Sequence, residues 1–339
     1  MSAPPVFARV LRGGRVESLH RGSAAVVAED GRLVAAAGAA SERVYLRSAA
    51  KPFQAMPLLE AGGERIFRLT SSDIALMCSS HGGEPRHVEQ ARRLLAKGGF
   101  TEKDLACGAH WPMHEPSVQR LRRMGRNATP LHNNCSGKHA GLLLACRLYG
   151  FAPLDYWKPA HPIQRELLAR MARWTGVPAS RIEIAVDGCS LPVFRIPLSA
   201  LALAYGRLLA PDAGAVAARL LRAMWERPAM MAGAGRFTSA FIASGTGRWV
   251  GKEGAEGVYA IGLCPGVVLR QAVGLAFKIE DGGIRARDAV SLALLERLGA
   301  VRPAARRALA AWRDPVLRNP RKLPVGRIEA DAGALRPAR

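Results

Sequence analysis

Ser48 and Lys51 stand three residues apart where a β-rich run gives way to helical periodicity. On a helix that spacing puts both side chains on one face. A lysine that has lost its proton can then accept one from the serine hydroxyl, and the helix N-terminus supports an oxyanion formed nearby. The chemistry this allows is nucleophilic acyl transfer. Lysine is also scarce here, because the basic residues are mostly arginines, which keep their proton in proteins. Of the few lysines, Lys51, Lys138 and Lys252 fall within segments rich in glycine, serine or cysteine.

A second polar segment, Leu131 to His139, precedes an apolar helical run and contains Cys135 and Lys138, spaced to point together. A third, Val186 to Ser190, runs from a strand into an Asp-Gly turn and contains Cys189. Two cysteines at such junctions supply half of a zinc site, although cysteines outside a CxxC spacing are a nonspecific pattern. Ser79 to Glu84 is a polar, glycine-rich loop that reads equally as a surface turn. Lys252-Glu253-Gly254 at a strand edge is a Lys-x-Gly, which together with Ser-x-x-Lys matches two elements of the penicillin-recognising acyl hydrolases. His110 and His114, on a proline-rich loop, read as loop residues rather than ligands.

The elements that must hold these residues are legible as periodicity. Val6–Leu11, Ser23–Ala28 and Arg32–Ala37 read as strands, with Asp30–Gly31 as a hairpin turn. Helical spacing begins at Ser48 and ends at Gly62, and the stretch from about 84 to 181 is mainly helical. Helices are predicted over Pro197–Leu209 and Gly214–Glu226. Strands are predicted over Trp249–Glu253, Gly257–Leu263, Gly266–Leu269 and Leu275–Ile279, with a helix at Arg287–Leu298. Strands at both ends with helices between them predict an α+β fold: an antiparallel sheet flanked by helices, with a helical lobe. The expected organisation is one two-lobed catalytic unit over residues 1–315, its helical lobe spanning about 85–180, and a Pro/Arg-rich tail over 316–339.

The chain has 339 residues, 49% of them hydrophobic, enough for a sizeable core and against disorder. Its apolar runs fall short of a bilayer span and its N-terminus is unlike a signal peptide, so the expectation is a soluble, cytoplasmic protein with no membrane partner. Its six cysteines are then expected to be reduced. The net charge of +22 raises nucleic-acid binding, but the arginines are dispersed and no recognition module accompanies them. No nucleic-acid partner is expected.

The chain resembles the L-asparaginase II family, typified by the thermolabile rhizobial asparaginases. The resemblance is carried, in order, by Val16–Gly22, Arg47–Gln54, Ser80–Glu84, Asn133–His139, Asp187–Cys189 with Pro192, Gly235–Phe237 and Lys252–Gly257. It departs from the family pattern at Gly38–Ala39–Ala40, where Gly-Asp-Pro is frequent, and at Thr238, where an acidic residue is usual. The resemblance implies a serine β-lactamase/glutaminase-like fold and two Ser–Lys pairs, Ser48 with Lys51 and Ser80 with Lys252. It also implies a zinc ion held by Cys135, Cys189 and the Lys138 amine with water as fourth ligand. Arg47, His81, Asn134 and Asp187 line up with polar substrate-binding positions. The implied activity is hydrolysis of L-asparagine by a homodimer, with a Ser–Lys hydrolase of another amide, glutaminase or β-lactamase/peptidase-like, as the alternative.

Overall fold

The computed structural model describes residues 3–338. Its strands are β1 (Val6–Arg12), β2 (Arg15–Ala28), β3 (Leu33–Ala37), β4 (Arg43–Tyr45), β5 (Glu183–Val186), β6 (Pro192–Pro197), β7 (Trp249–Glu253), β8 (Val258–Leu263), β9 (Val273–Ile279), β10 (Val316–Arg318), β11 (Pro324–Ala330) and β12 (Arg336–Pro337). The chain divides into two units. The first takes residues up to 49, residues 196–212 and residues from 244 onward; the second takes 50–195 and 213–243. The class is α+β.

The first unit is built on an antiparallel sheet in the order β10-β11-β1-β2-β9-β8-β7, with β3 on β2 and β12 on β3. The 14-residue β2 serves two ladders. Its first half pairs with β1, Val10 opposite Ser18, and its second half lies between β3 and β9, with Ala25 opposite both Ala36 and Ala276. The Ser23–Ala28 half is wholly buried, as are β7 and β8, so these strands show no alternation of buried and exposed positions. Asp30 accepts from Arg32 N at 2.9 Å and Gly31 has φ +95°, which closes the β2–β3 hairpin. The helix Leu198–Leu208 lies directly on β9 and β2. A Cβ on Gly274 would sit 1.7 Å from the Ala202 carbonyl oxygen, so glycine alone allows that approach.

The second unit is helical. Its centre is the helix Ser136–Tyr149, whose first eleven residues are all buried against Lys51–Glu60, Ser71–Cys78 and Pro85–Lys97. A Cβ on Gly137 would lie 2.4 Å from Leu76 O, which fixes how closely Ser136–Tyr149 meets Ser71–Cys78. Thr70 caps the latter helix, and Asp73 closes the capping box. Asp73, fully buried, also accepts from Gln90 Nε2 and Lys97 Nζ, both at 2.7 Å.

Three differences from the sequence expectations have local causes. The helical unit is larger than residues 85–180, because Lys51–Glu60 and Ser71–Cys78 bury their apolar faces on its central helix. Gly266–Leu269 forms a turn instead of a strand: Gly266 follows Pro265, has φ +78° and donates its N–H to Leu269 O at 2.7 Å. The residues from 316 onward supply three strands, and β11 pairs with β1, Ala8 opposite Ala330.

Candidate active site

Lys51 opens the helix Lys51–Glu60 and is fully buried. Its Nζ donates to Ser79 O at 2.6 Å, Ser80 Oγ at 3.1 Å and Asn134 O at 3.1 Å. Ser79 caps the end of the helix Ser71–Cys78, its hydroxyl donating to Leu76 O at 2.7 Å. The next stretch runs alongside 231–232: Ser80 N donates to Met231 O at 3.0 Å and Gly82 N to Ala232 O at 2.7 Å. Backbone bonds therefore fix the Ser80 hydroxyl before any side chain acts. The sequence reading paired Lys51 with Ser48; within the helical unit the hydroxyl that the Lys51 amine meets is that of Ser80.

His81 is fully buried with both ring nitrogens engaged. Nδ1 accepts from Gly83 N at 3.2 Å, so Nε2 bears the hydrogen and donates to Ser136 Oγ at 2.9 Å; Ser136 in turn donates to Leu131 O at 3.1 Å. Burial, and then the neighbouring His87 stacked on it at 5.0 Å, push His81 well below the usual imidazole range. His87 is also pushed down, chiefly by burial. Glu84, buried, accepts from Ala234 N at 2.7 Å and pairs with Arg86.

Cys135, Lys138 and Cys189 converge in the same unit and are all buried. Lys138 Nζ lies 3.0 Å from Cys189 Sγ, and Asp187 Oδ2 lies 3.8 Å from the same sulfur. Asn134 Oδ1 is 3.1 Å from Cys135 Sγ. A hydrogen bond from the Cys189 thiol lowers Cys135 well below the thiol range, with Lys138 assisting against burial. Burial disfavours the Lys138 charge, but Cys135 and Cys189 outweigh it and raise Lys138. Asn133 shapes this corner without having been singled out: its Nδ2 donates to Cys107 O and Gly108 O, and its Oδ1 accepts from Cys135 N at 2.9 Å. Its signal in the sequence was only the Asn-Asn doublet before the helix.

These donors fit a zinc ion chemically. A tetrahedral zinc places its sulfur and nitrogen ligands about 3 to 4 Å from one another, the scale of the Lys138–Cys189 separation. Among the described residues no group of three or more histidine, cysteine or carboxylate side chains forms a metal site, so a metal here depends on the Lys138 amine as third ligand. Next to Lys138, His139 bonds Tyr156 Oη through Nδ1 at 2.6 Å. Its Nε2 is buried beside the Cys189 main chain without a hydrogen bond of standard geometry.

The sheet unit holds the remaining candidates. Arg47 and Ser48 lie in the 3-10 turn Arg47–Ala50, and Arg47 has φ +48°, a conformation costing a non-glycine residue about 1 kcal/mol or more. The turn is anchored where Tyr205 Oη donates to Ala49 O at 2.8 Å. Lys252, fully buried on β7, donates to Glu253 O at 3.0 Å and lies 3.4 Å from the Glu253 carboxylate.

No curated protein sequence matches the chain. Among solved structures, Mglu in its native form is similar at 16% identity and a TM-score of 0.40, over 82% of this chain and 63% of the Mglu chain. The chain thus spans less than two thirds of the length of Mglu. A probable glutaminase from Bacillus subtilis, complexed with 6-diazo-5-oxo-L-norleucine, is similar at 12% identity and a TM-score of 0.39, over 85% and 87% of the two chains. At the level of sequence, the profile of the family described as L-asparaginase II matches residues 8–330, which take in both units and every candidate residue above: the chain belongs to the L-asparaginase II family.

Proposed function

We propose that the protein is an amidohydrolase that converts L-asparagine to L-aspartate and ammonia. Beyond family membership, the observation that carries this is the buried Lys51 amine held 3.1 Å from the Ser80 hydroxyl, with Ser48 three positions before the lysine in the chain. Ser48 Oγ attacks the side-chain carboxamide carbon, and Lys51, in its neutral form, takes the hydroxyl proton. Backbone N–H groups of the turn at Arg47–Ala50 support the oxyanion. The C–N bond breaks, a proton from the Ser80–Lys252 pair or from Lys51 leaves with ammonia, and water hydrolyses the β-aspartyl ester. Arg47, Asn134 and Asp187 are assigned to the substrate's polar groups, Asp187 and Arg47 suiting its ammonium and carboxylate; His81, expected among them, has both ring nitrogens bonded within the protein. His81 acts from a buried position, through Ser136 and the loop that carries Ser80.

Cys135, Lys138 and Cys189 would hold a zinc ion, which would supply a fixed positive centre that orients substrate. A chain purified without chelator is expected to contain zinc by elemental analysis, and the Cys135→Ser/Cys189→Ser double variant to lose it. Equal metal content in both sinks the assignment. A cytoplasmic homodimer remains part of the proposal; six cysteines free of disulfides are compatible with a reducing compartment. Among the described residues no helix is long and apolar enough to cross a membrane.

The test of function is ammonia release from L-asparagine and, separately, from L-glutamine, by the protein and its Ser48→Ala variant. Release from asparagine, reduced by about a thousandfold or more in the variant, is expected. Faster turnover of glutamine transfers the assignment to a glutaminase. Activity retained in Ser48→Ala removes that serine as nucleophile and moves the role to Ser80.

A further inference from the structure

A cavity of about 300 Å³ opens on the helical unit between the helices Pro85–Lys97 and Glu115–Arg123, away from the Lys51 amine and unused by the proposed reaction. Its lining is mostly apolar, with Val88, Leu121 and Met124 among the contributing side chains. Three guanidinium groups, Arg92, Arg120 and Arg126, also line it. The carboxylate in the lining, Glu89, is already shared between Arg92 at 2.6 Å and Arg93 at 2.9 Å. Arg120 and Arg126 have no ion-pair partner among the described residues, and the nearby Arg122 is taken up over the Trp111 ring. An apolar pocket carrying three arginines and one committed carboxylate is complementary to an oxyanion with an apolar body.

We propose that this cavity binds a small organic anion, a carboxylate or phosphate ester carrying an aromatic or compact apolar group. Its walls belong to the segments that hold His81. Gly83, on one wall, donates its N–H to His81 Nδ1. His132, on the other, ends the turn whose Leu131 carbonyl accepts from Ser136, the partner of His81 Nε2. The main chain at Gly83 (φ +72°) touches that turn closely, since a Cβ there would come within 3.0 Å of His132 O. The ligand therefore sits one backbone layer behind the His81 imidazole.

The test is calorimetric titration of the full chain with benzoate, phenyl phosphate, inorganic phosphate and benzyl alcohol, alongside an Arg120→Ala/Arg126→Ala variant. Both arginines are exposed, so the variant should keep the wild-type circular dichroism spectrum. Benzoate or phenyl phosphate is expected to bind, and whichever binds tighter identifies the headgroup. Benzyl alcohol should be weaker by about tenfold or more, and the double variant should lose about tenfold or more in affinity for the anion. Three results overturn the proposal: neither organic anion binds, the variant binds as well as wild type, or inorganic phosphate binds as tightly as phenyl phosphate.

Discussion

His81 illustrates how a side chain can serve a site from complete burial. Its two ring nitrogens close a path from Gly83 N through Ser136 to Leu131 O, so the imidazole is a strut between the loop bearing Ser80 and the turn before Cys135. Its protonation is linked to stability. Because burial lowers His81 and His87 in the folded chain, the unfolded chain binds more protons than the folded one below about pH 6.5. Stability is then complete above that pH and falls as acid is added. The urea midpoint is expected to drop between about pH 7 and about pH 5, and His81→Gln should make that drop smaller. An unchanged slope in the variant would show that other groups carry the acid sensitivity. At this scale the sequence disclosed residue types well and partners poorly. Cys135, Lys138 and Cys189 stood out by type and context and lie together, whereas the Lys51–Ser80 bond joins side chains 29 positions apart and no spacing could announce it.

Among the elements, Ser71–Cys78 has the largest local consequence, because its C-terminal end delivers Ser79 and Ser80 to Lys51. Asp73 ties its first turn to Gln90 and Lys97 while accepting from Thr70 N and Thr70 Oγ1. Asp73→Ala leaves these donors without their acceptor and should cost about 3 kcal/mol in chemical denaturation. A loss below about 0.5 kcal/mol would mean that the network relaxes into water. This helix escaped sequence reading for a physical reason: from Asp73 to Cys78 every residue is buried, so there is no polar face to mark a 3.6-residue period. The helix Pro162–Thr175, inside the stretch read as helical, does have such a face, with proline at its start and Gly176 in the left-handed conformation at its end. The α+β class survived this omission because the paired strands near both termini were apolar enough to declare themselves.

For the whole molecule, the basic C-terminal stretch shows most clearly where composition misleads. Its prolines and arginines predicted a tail, but β11 runs antiparallel to β1 from Ala8–Ala330 to Leu11–Arg327, and Ile328 and Ala330 are buried. A chain ended at Pro315 leaves β1 with an open edge and is expected to melt well below the full chain or to precipitate on expression; a midpoint equal to the full chain's would mean that β1 needs no such neighbour. The pairing of Ala8 with Ala330 also has a temporal side. On the ribosome β1 emerges long before β11, the strand that covers it. The outer edge of β1 therefore stays unsatisfied while all the chain between them is made, a template for contact with any other nascent strand. The emergence of β11, or a chaperone that shields this edge until then, sets when the sheet can close.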